Sequence, residues 1–455
     1  MEKDFVWGVA TAAIQIEGGL YEGGKGESIW DVLAHTPGKI KNGENADVSC
    51  DHYHHFKEDV KLMGELGVDA YRFSIAWPRI FTNGFGKPNE EGLQFYSDLV
   101  DELLKYNITP YVTLFHWDLP LEVFRKGGWL NNDIVEWFAN YTRVVAEKLG
   151  DRVKNFITFN EPQCIIGGMD GWGHAPAVKY STKDKLLAIH NILKSHGRAV
   201  QVLRETVKDV KVGYAPCANP FFPKDDSPEQ LELARKAYFS LHLMSNFYNV
   251  ILYSDPVFFG DYPKEYYEMF KDDVPNITKE DLELISQPLD FYGQNIYWGG
   301  SVSECDNEAG FKEDPLYPGY PKNTINHPIM PHVIYWGARF LYERYKTPII
   351  ITENGTSCMD WVHLDGKVHD PQRIDYIKRY TDELLRAKNE GVDVRGYFVW
   401  SFIDNFEWDN GYDPRLGLVY VDYRTQERIP KDSFYFYRDL IKDYKKKNSD
   451  DKAQV

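Results

Sequence analysis

The feature that most constrains the fold is an eightfold alternation of short apolar runs with longer helical stretches. Runs rich in β-branched and aromatic residues predict strands, and apolar residues at helical spacing predict helices between them. Strands are expected at 5–9, 70–75, 109–115, 155–159, 210–215, 289–294, 349–352 and 394–400. Helices are expected near 55–66, 90–106, 132–149, 184–207, 229–254, 332–345, 371–390 and 432–446. This alternation predicts an α/β fold, a single-domain (β/α)8 TIM barrel spanning 1–446, followed by a polar tail at 447–455.

Composition limits the classes of partner. The 455 residues carry 52 Lys and Arg against 69 Asp and Glu, a formal charge of −17. Nucleic acid and anionic membranes repel such a chain, so neither is expected as a partner, and a neutral substrate fits better. No apolar run is long enough to predict a membrane span. The residues leave open whether the protein is a monomer or a homo-oligomer.

The cysteines and the N-terminal segment indicate the compartment. Five cysteines lie far apart without a C-x-x-C pair, which does not suggest a disulfide framework and favours a reducing cytoplasm. Residues 5–14 are apolar like a signal-peptide core, but acidic residues precede them instead of a basic cluster. We therefore interpret this segment as a buried strand and expect a cytoplasmic protein.

Two long irregular segments interrupt the alternation. Residues 299–331 follow the sixth expected strand, and residues 401–431 follow the eighth. Long loops inside a compact domain commonly line a binding site. In a barrel of this kind, the loops after the strands surround the active site. Both segments are therefore expected beside the site.

Two glutamates end expected strands in similar contexts. Glu161 lies in NFITFNEP at 155–162, and Glu353 lies in PIIITENG at 348–355. The fourth and seventh strands of a closed barrel can direct both carboxylates into one mouth, which is the arrangement that glycosidic hydrolysis uses. The two contexts alone leave open that each Glu is a solvated strand-end residue or a helix cap.

Aromatic and amide side chains near other strand ends favour a saccharide pocket. The third strand ends in FHWDLP at 115–120, and WSFIDNFEW at 400–408 follows the eighth. Sugars present both hydroxyls and apolar C–H faces, which such side chains match. A Trp alone is more often a core residue. Here His116 and Glu407 accompany the Trp residues, and a dry core tolerates such polar groups poorly.

Six motifs in order carry a family resemblance. They are FVWGVATAAIQIEG at 5–18, YRFSIAWPRI at 71–80, FHWDLP at 115–120, TFNEP at 158–162, ITENG at 351–355 and WSFIDNFEW at 400–408. With these motifs the sequence resembles glycoside hydrolase family 1, the β-glucosidase family of retaining (β/α)8 enzymes, over nearly its whole length.

The resemblance implies roles for four residues around the reaction. Glu161 matches the acid/base of the family and Glu353 its nucleophile. Arg72 matches the Arg beside the nucleophile, and Tyr297 matches the Tyr hydrogen-bonded to it. Positive charge and hydrogen bonding both favour an ionised Glu353, whereas Glu161 must begin protonated.

The resemblance also implies a set of sugar-binding residues. Asn160 is expected at the 2-hydroxyl and Trp400 as the stacking floor. The full set is Gln15, His116, Trp117, Asn160, Asn219, Asn295, Trp400, Glu407 and Trp408. Family members that take 6-phosphorylated sugars carry phosphate-holding residues, including Lys, in the loop of Glu407. A Glu there repels phosphate, so an unphosphorylated sugar is expected.

The departures from the family pattern lie mostly where the leaving group is expected. Gln163 and His327 stand where many members have Trp, and losing aromatic walls weakens stacking with an aglycone. Other departures are Ile14 and Ile296 in place of aromatics and Ala177 in place of a Gly. The aglycone side is expected to include Gln163, His174 and His327.

Three other features of the sequence resemble functional sites. CDHYHH at 50–55 contains possible zinc ligands, but ligands packed so closely rarely surround one ion without a distant second pair. We interpret it as a loop and helix start, and expect no metal. Cys164 lacks an evident basic partner, so a buried inert thiol is expected. The Gly-rich stretch at 18–28 lacks phosphate-cradling spacing, so no cofactor is expected.

The leading expectation is an exo-acting retaining β-glucosidase acting on short β-glucosides such as cellobiose-like oligosaccharides and aryl glucosides. Activity on β-galactosides or β-fucosides is expected as a side preference. One alternative is the same chemistry on 6-phospho-β-glycosides, and another is a non-catalytic sugar-binding barrel. The sequence does not rank glucosides against galactosides.

Overall fold

Eight parallel strands form a closed barrel in the computed structural model, which describes residues 5–171, 173–243 and 247–453. The (β/α)8 prediction is confirmed. The barrel strands are β1 (Val6–Ala10), β2 (Ala70–Ser74), β3 (Thr109–Phe115), β4 (Asn155–Asn160), β5 (Lys211–Ala215), β6 (Phe291–Asn295), β9 (Ile349–Asn354) and β10 (Val394–Trp400). Four short strands lie outside it, β7 (Val302–Glu304), β8 (Phe311–Glu313), β11 (Val419–Asp422) and β12 (Glu427–Pro430). Every expected strand ends within two residues of its expected bounds.

The register of the barrel determines which residues meet at its mouth. The spatial order is β1-β10-β9-β6-β5-β4-β3-β2, and β1 closes the barrel by pairing with both β2 and β10. Neighbouring strands place Asn295 opposite Glu353 and Ala10 opposite Arg72. The carboxyl ends of all eight strands therefore present their side chains to one shared opening.

Apolar side chains fill two layers. Tyr111, Ile157, Phe291, Ile350 and Phe398, each from a different strand, form one buried cluster that we place inside the barrel. A larger cluster joins the outer faces of the strands to the helices. The barrel is thus a packed core below the site and leaves space only at its mouth.

Helices surround the barrel, and most match the expected spacing. They are α1 (Ala13–Ile16), α2 (Ile29–Ala34), α3 (His52–Leu66), α4 (Trp77–Ile80), α5 (Glu90–Lys105), α6 (Leu121–Arg125), α7 (Ile134–Leu149), α8 (Pro162–Gly168), α9 (Thr182–Thr206), α10 (Pro228–Tyr238), α11 (Val250–Phe259), α12 (Lys264–Phe270), α13 (Lys279–Ile285), α14 (His332–Tyr345), α15 (Pro371–Asn389) and α16 (Asp432–Ala453). Single 3₁₀ turns occur at Lys41–Gly43, Gly128–Leu130, Leu241–Leu243, Lys271–Asp273 and Trp408–Asn410. None of the described helices is long and apolar enough to cross a membrane.

Two helix predictions were wrong in extent. The continuous helix expected at 229–254 is two helices, α10 and α11, and its residues 244–246 lie outside the described residues. An N-cap explains why α11 begins at Val250: the Asn249 side chain accepts a hydrogen bond from the Ile251 amide at 2.9 Å. The last helix continues past residue 446 to Ala453, since its Lys- and Ala-containing end sustains helix. Residues 454–455 of the expected tail lie outside the described residues.

The two long loops carry structure of their own. β7 and β8 pair antiparallel within 299–331, and β11 and β12 pair antiparallel within 401–431. Both segments follow barrel strands at their carboxyl ends, and both contribute residues to the cavity described below. The prediction that they lie beside the site is confirmed.

Candidate active site

The two glutamates lie at the carboxyl ends of β4 and β9. Glu161 follows β4 in a left-handed backbone conformation (φ 39°), and Pro162 after it opens α8. Proline disfavours helical backbone in the residue before it, so the chain turns at Glu161 before the helix starts. Glu353 is the penultimate residue of β9. Both side chains are buried, with exposures of 8% and 3%, and both line the same cavity.

Glu353 receives one donor on each carboxylate oxygen. Arg72 Nη1 from β2 lies 2.6 Å from Oε1, and Tyr297 Oη donates to Oε2 at 2.9 Å. Arg72 is itself held by Thr113, whose hydroxyl accepts from Nε at 3.0 Å. The guanidinium is fully buried, so its charge acts on Glu353 with little screening. The structure therefore brings together the residues expected around the nucleophile.

Among the described residues, the hydrogen-bond donors to Glu161 are both neutral. Asn295 Nδ2 donates to Oε1 at 2.8 Å, and the Cys164 thiol donates to Oε2 at 3.1 Å. The expectation of a buried thiol at Cys164 is confirmed, since burial raises the pKa of that thiol. Its contact with Glu161 was not predicted, although the i, i+3 spacing at the start of a helix was a signal for it.

The surroundings of Glu161 and Glu353 favour different protonation states of the two carboxyl groups. Burial, followed by the charge of Glu353, raises the pKa of Glu161 to about 7. Burial also raises the pKa of Glu353, but Arg72 and the Tyr297 hydroxyl oppose that rise. Because the cation contacts Glu353 directly, the negative charge of the pair resides there and the proton resides on Glu161. Paired carboxyl groups with separated pKa values can supply one acid and one nucleophile.

An amide network fixes the relative positions of these groups. Asn160 Oδ1 accepts from Arg72 Nη2 at 2.6 Å and from Asn295 Nδ2 at 2.9 Å. Asn160 Nδ2 lies 3.0 Å from His116 Nε2. Burial and the nearby Arg72 lower the pKa of His116, so its imidazole is neutral and offers one donor and one acceptor. Asn160 itself is fully buried beneath the cavity lining.

Aromatic rings enclose the cavity, whose volume is about 520 Å³. His116 stacks with Trp400 at a centroid distance of 5.7 Å and with Trp408 at 6.0 Å. Trp117 lies 4.4 Å from Trp408, and its Nε1 donates to the Asn160 carbonyl at 2.9 Å. A pocket of this volume with aromatic walls and convergent polar groups matches a small polar ligand with apolar faces.

Glu407 and Gln15 form a second polar group at the cavity. Gln15 Nε2 donates to the Phe406 carbonyl at 2.8 Å and lies 3.4 Å from Glu407 Oε2. Gln15 Oε1 is buried without a hydrogen-bond partner among the described residues. Burial and the charge of Glu353 raise the pKa of Glu407 to about 8. The free site therefore holds Glu407 mostly protonated at neutral pH, which the sequence did not predict.

Of the three residues expected on the aglycone side, two line the cavity and one does not. His327 lines the cavity beside Trp298, with ring centroids 5.8 Å apart. His174 also lines it, packed 5.2 Å from Trp117. Gln163 is not part of the cavity lining, and its place on the aglycone side stays a prediction. The Gln163 amide is buried and bonds the backbone of Cys217, because the residue after Pro162 turns inward toward the segment that follows β5.

Several lining residues were missed from the sequence. Asn219 is exposed at the cavity as expected. Trp298 also lines the cavity, and its position directly after Tyr297 in the sequence could have indicated this. The other lining residues not predicted are Cys164, Cys217, Ala218, Tyr248, Asn323, Ile325, Gly355, Asp409, Asn410 and Leu416. Most come from loops, whose conformation a strand pattern does not determine.

The cluster at 50–55 is a loop and helix start, as expected, and α3 begins at His52. His52 Nδ1 lies 2.7 Å from Asp59 Oδ2, and Arg428 Nε lies 3.0 Å from Asp59 Oδ1. The Cys50 thiol donates to the Asp404 carbonyl. These side chains thus have structural partners.

Comparisons with known proteins agree with this geometry. The profile of glycosyl hydrolase family 1 matches residues 1–446. Beta-glucosidase A of Thermotoga maritima is 45% identical over 443 residues, which cover 97% of each chain. The 1,4-beta-D-glucan glucohydrolase of Thermotoga neapolitana is 44% identical over 446 residues, 97% of this chain and 98% of the relative. The solved β-glucosidase from Thermotoga maritima in complex with deoxynojirimycin matches with a TM-score of 0.88 at 44% identity, covering 97% of this chain and 98% of that one.

The chain belongs to glycosyl hydrolase family 1. The resemblance drawn from the six motifs is confirmed.

Proposed function

We propose that the protein is a retaining, exo-acting β-glucosidase that removes terminal β-D-glucosyl residues from short β-glucosides. One observation carries the proposal: two buried carboxyl groups line one cavity, and of these two only Glu353 forms an ion pair within the described part of the chain. This asymmetry supplies an ionised nucleophile beside a protonated acid. The names of the relatives from Thermotoga agree with this substrate class.

In the first step, Glu353 attacks the anomeric carbon. Its ionised form is maintained by Arg72 on one oxygen and Tyr297 on the other. Glu161 delivers its proton to the leaving oxygen, and a pKa of about 7 allows it to hold that proton near neutral pH. The bond from the anomeric carbon to the leaving oxygen breaks, and a glycosyl ester on Glu353 forms.

In the second step, water replaces the leaving group. Glu161, now ionised, takes a proton from that water as the water attacks the anomeric carbon, and Glu353 leaves as a carboxylate. Two inversions give net retention. Proton NMR of the first-formed product tests this, since an α-anomer as the initial sugar would refute the two-step route.

The proposed sugar-binding roles rest on a place in the cavity lining or, for Gln15 and Asn160, on contacts with neighbouring site residues. We assign the stacking floor to Trp400, supported by its stacking on His116. Gln15 Oε1, buried without a partner, suits a donating sugar hydroxyl beside Glu407. Asn160 contacts Arg72 and Asn295, so a 2-hydroxyl bonded to it would be coupled to both carboxyl groups. The proposed sugar-contacting set is Gln15, His116, Trp117, Asn160, Asn219, Asn295, Trp400, Glu407 and Trp408.

We attribute the preference for an unphosphorylated sugar to the lack of Lys and Arg among the described lining residues more than to repulsion of phosphate by Glu407. Glu407 with a pKa of about 8 repels a phosphate less than an ionised Glu would. However, the cavity lining contains no Lys or Arg among the described residues. A phosphate dianion would enter beside Glu353 without a compensating charge, which costs free energy of desolvation. The 6-phosphorylated substrate is therefore the disfavoured alternative.

A paired rate assay tests the proposal. Purified protein receives the nitrophenyl β-glucoside and its 6-phosphate, with Glu353→Gln as the inactive variant. Glu383→Gln is a matched control, because that carboxyl group lies on α15 outside the cavity. Turnover of the plain glucoside that only Glu353→Gln abolishes supports the proposal. Turnover of the phosphorylated sugar alone would overturn the substrate, and turnover of neither would favour a sugar-binding barrel.

We propose a cytoplasmic location and side activity on β-galactosides or β-fucosides. All five cysteines are free thiols, which suits a reducing compartment. Gln15 and Glu407 supply both donor and acceptor groups, which suit either epimer of one hydroxyl. Cell fractionation and parallel rates on nitrophenyl galactoside and fucoside test these points. Light scattering distinguishes a monomer from a homo-oligomer.

A further inference from the structure

Two cysteines meet the acid/base carboxyl group at the wall of the cavity. The ligand-capable atoms of Glu161, Cys164 and Cys217 all lie within 4.8 Å of one another. The three side chains come from two segments, the start of α8 and the turn after β5. They form a compact set of one hard oxygen donor and two soft sulfur donors.

Local structure holds this cluster in place. Cys164 lies three residues after Glu161, so the first turn of α8 brings the thiol to the carboxylate. Gln163 secures the other segment: its Nε2 donates to the Cys217 carbonyl at 2.9 Å, and its Oε1 lies 3.4 Å from the Cys217 amide. The amide of Gln163 thus fastens Cys217 beside Cys164, and the two sulfur atoms lie within 4.8 Å of each other.

We propose that Glu161, Cys164 and Cys217 form an inhibitory binding site for a thiophilic divalent cation such as Cd²⁺ or Zn²⁺. Thiolate ligands select such ions, and three protein ligands with one open position are a common coordination set for zinc. A tetrahedral ion with metal–sulfur distances of about 2.3 Å holds its ligand atoms about 3.8 Å apart. From their present separations of up to 4.8 Å, the three ligand atoms would have to approach one another by about 1 Å.

The surroundings of the cluster suit a cation. All three residues line the cavity, which gives an ion access and leaves a coordination position for water. Each thiol that binds releases its proton to solvent, so two thiolates and one carboxylate surround a charge of two. Burial raises the pKa of both thiols, and a bound cation would compensate the charge that burial disfavours.

The consequence for catalysis rests on the proposed function. A cation that takes the Glu161 carboxylate removes both the proton donor of the first step and the base of the second. The sugar-stacking floor at Trp400 and the Arg72–Glu353 pair are outside the ligand set. The cation is therefore expected to lower kcat reversibly, and a chelator is expected to restore it.

Cadmium titration of the full chain tests the site directly. Binding is followed by the ultraviolet charge-transfer band of cadmium–thiolate bonds, and inhibition by glucoside turnover. We expect one equivalent bound per chain in parallel with loss of turnover. Cys164→Ser and Cys217→Ser should each weaken cadmium binding about tenfold or more, whereas Cys305→Ser, which leaves the three ligands in place, should not. Glu161→Gln is expected to retain the band at reduced affinity.

The readouts separate this site from the proposed activity. A band that titrates in Glu161→Gln supports the site even if no glycoside is turned over. Equal cadmium affinity in wild type, Cys164→Ser and Cys217→Ser would overturn the proposal, as would a band that disappears only in Cys305→Ser. Circular dichroism confirms that each serine variant is folded, and Cys164→Ala provides a second test of the first ligand.

Discussion

Replacing Tyr297 with Phe should move the acidic limb of the pH profile to higher pH. The change deletes only the hydroxyl that donates to Glu353 Oε2 at 2.9 Å and leaves the ring in place. A hydrogen bond to a charged group contributes about 1.5–3 kcal/mol. At 1.36 kcal/mol per pKa unit, its loss raises the pKa of Glu353 by about 1–2 units.

The direction in which the acidic limb moves follows from the role of Glu353 as the nucleophile. Attack requires the ionised form, so activity falls where pH drops below the pKa of this carboxyl group. Tyr297→Phe raises that pKa, so the acidic limb shifts upward by about 1–2 pH units. The alkaline limb reports loss of the Glu161 proton and lies near its pKa of about 7. The active window therefore narrows, and the maximum of kcat/KM decreases.

The assay is kcat/KM for nitrophenyl β-glucoside across pH, which reports the free enzyme. Tyr214→Phe is the matched control, because the Tyr214 hydroxyl is buried without a hydrogen-bond partner among the described residues. That variant should keep both limbs in place. A uniform loss of kcat/KM in Tyr297→Phe with an unmoved acidic limb would refute the proposed action of Tyr297 on the charge of Glu353.

Three further predictions, the last with its control, rest on other contacts. Asn295→Ala removes a donor that favours ionised Glu161, so the pKa of Glu161 and the alkaline limb of kcat/KM should rise by about one unit; an unmoved limb would contradict this. Trp400→Ala should raise KM for the glucoside about tenfold or more through lost stacking, and an unchanged KM would exclude Trp400 as the floor. Arg428→Met leaves buried Asp59 without its cation and should lower the free energy of unfolding in urea by about 3–5 kcal/mol. Arg424→Met, which breaks an exposed pair, is its control and should leave the urea midpoint unchanged.

The barrel could be predicted because its signal is local. Strands β3 and β10 are rich in β-branched and aromatic residues, and both have the bounds expected from the sequence. Their alternation with helices determines the fold class, and the fold class determines that residues after the strands share one mouth. The cavity therefore contains Glu161 and Glu353, 192 positions apart in the chain, as expected.

The rest depends on packing between distant segments. The inward turn of Gln163 toward Cys217 joins two loops, and no spacing in either loop predicts that contact. The interruption between α10 and α11 depends on a cap at Asn249 that competes with a pattern otherwise favourable to helix. The raised pKa of Glu407 depends on burial beside Glu353, which becomes visible only when the segments are placed together.

The count of charges at the cavity explains how Glu161 can serve both steps. Buried Glu161 and Glu353 and half-buried Glu407 line one cavity, and among the described residues only Glu353 of the three forms an ion pair, with Arg72. Only Glu353 is therefore fully compensated as a carboxylate. Arg72 contacts Glu353, and the other two therefore hold protons near neutral pH. When Glu353 becomes an ester, its negative charge disappears while Arg72 stays. The charge that raised the pKa of Glu161 is then absent, the guanidinium favours its ionised form, and the acid of the first step becomes the base of the second.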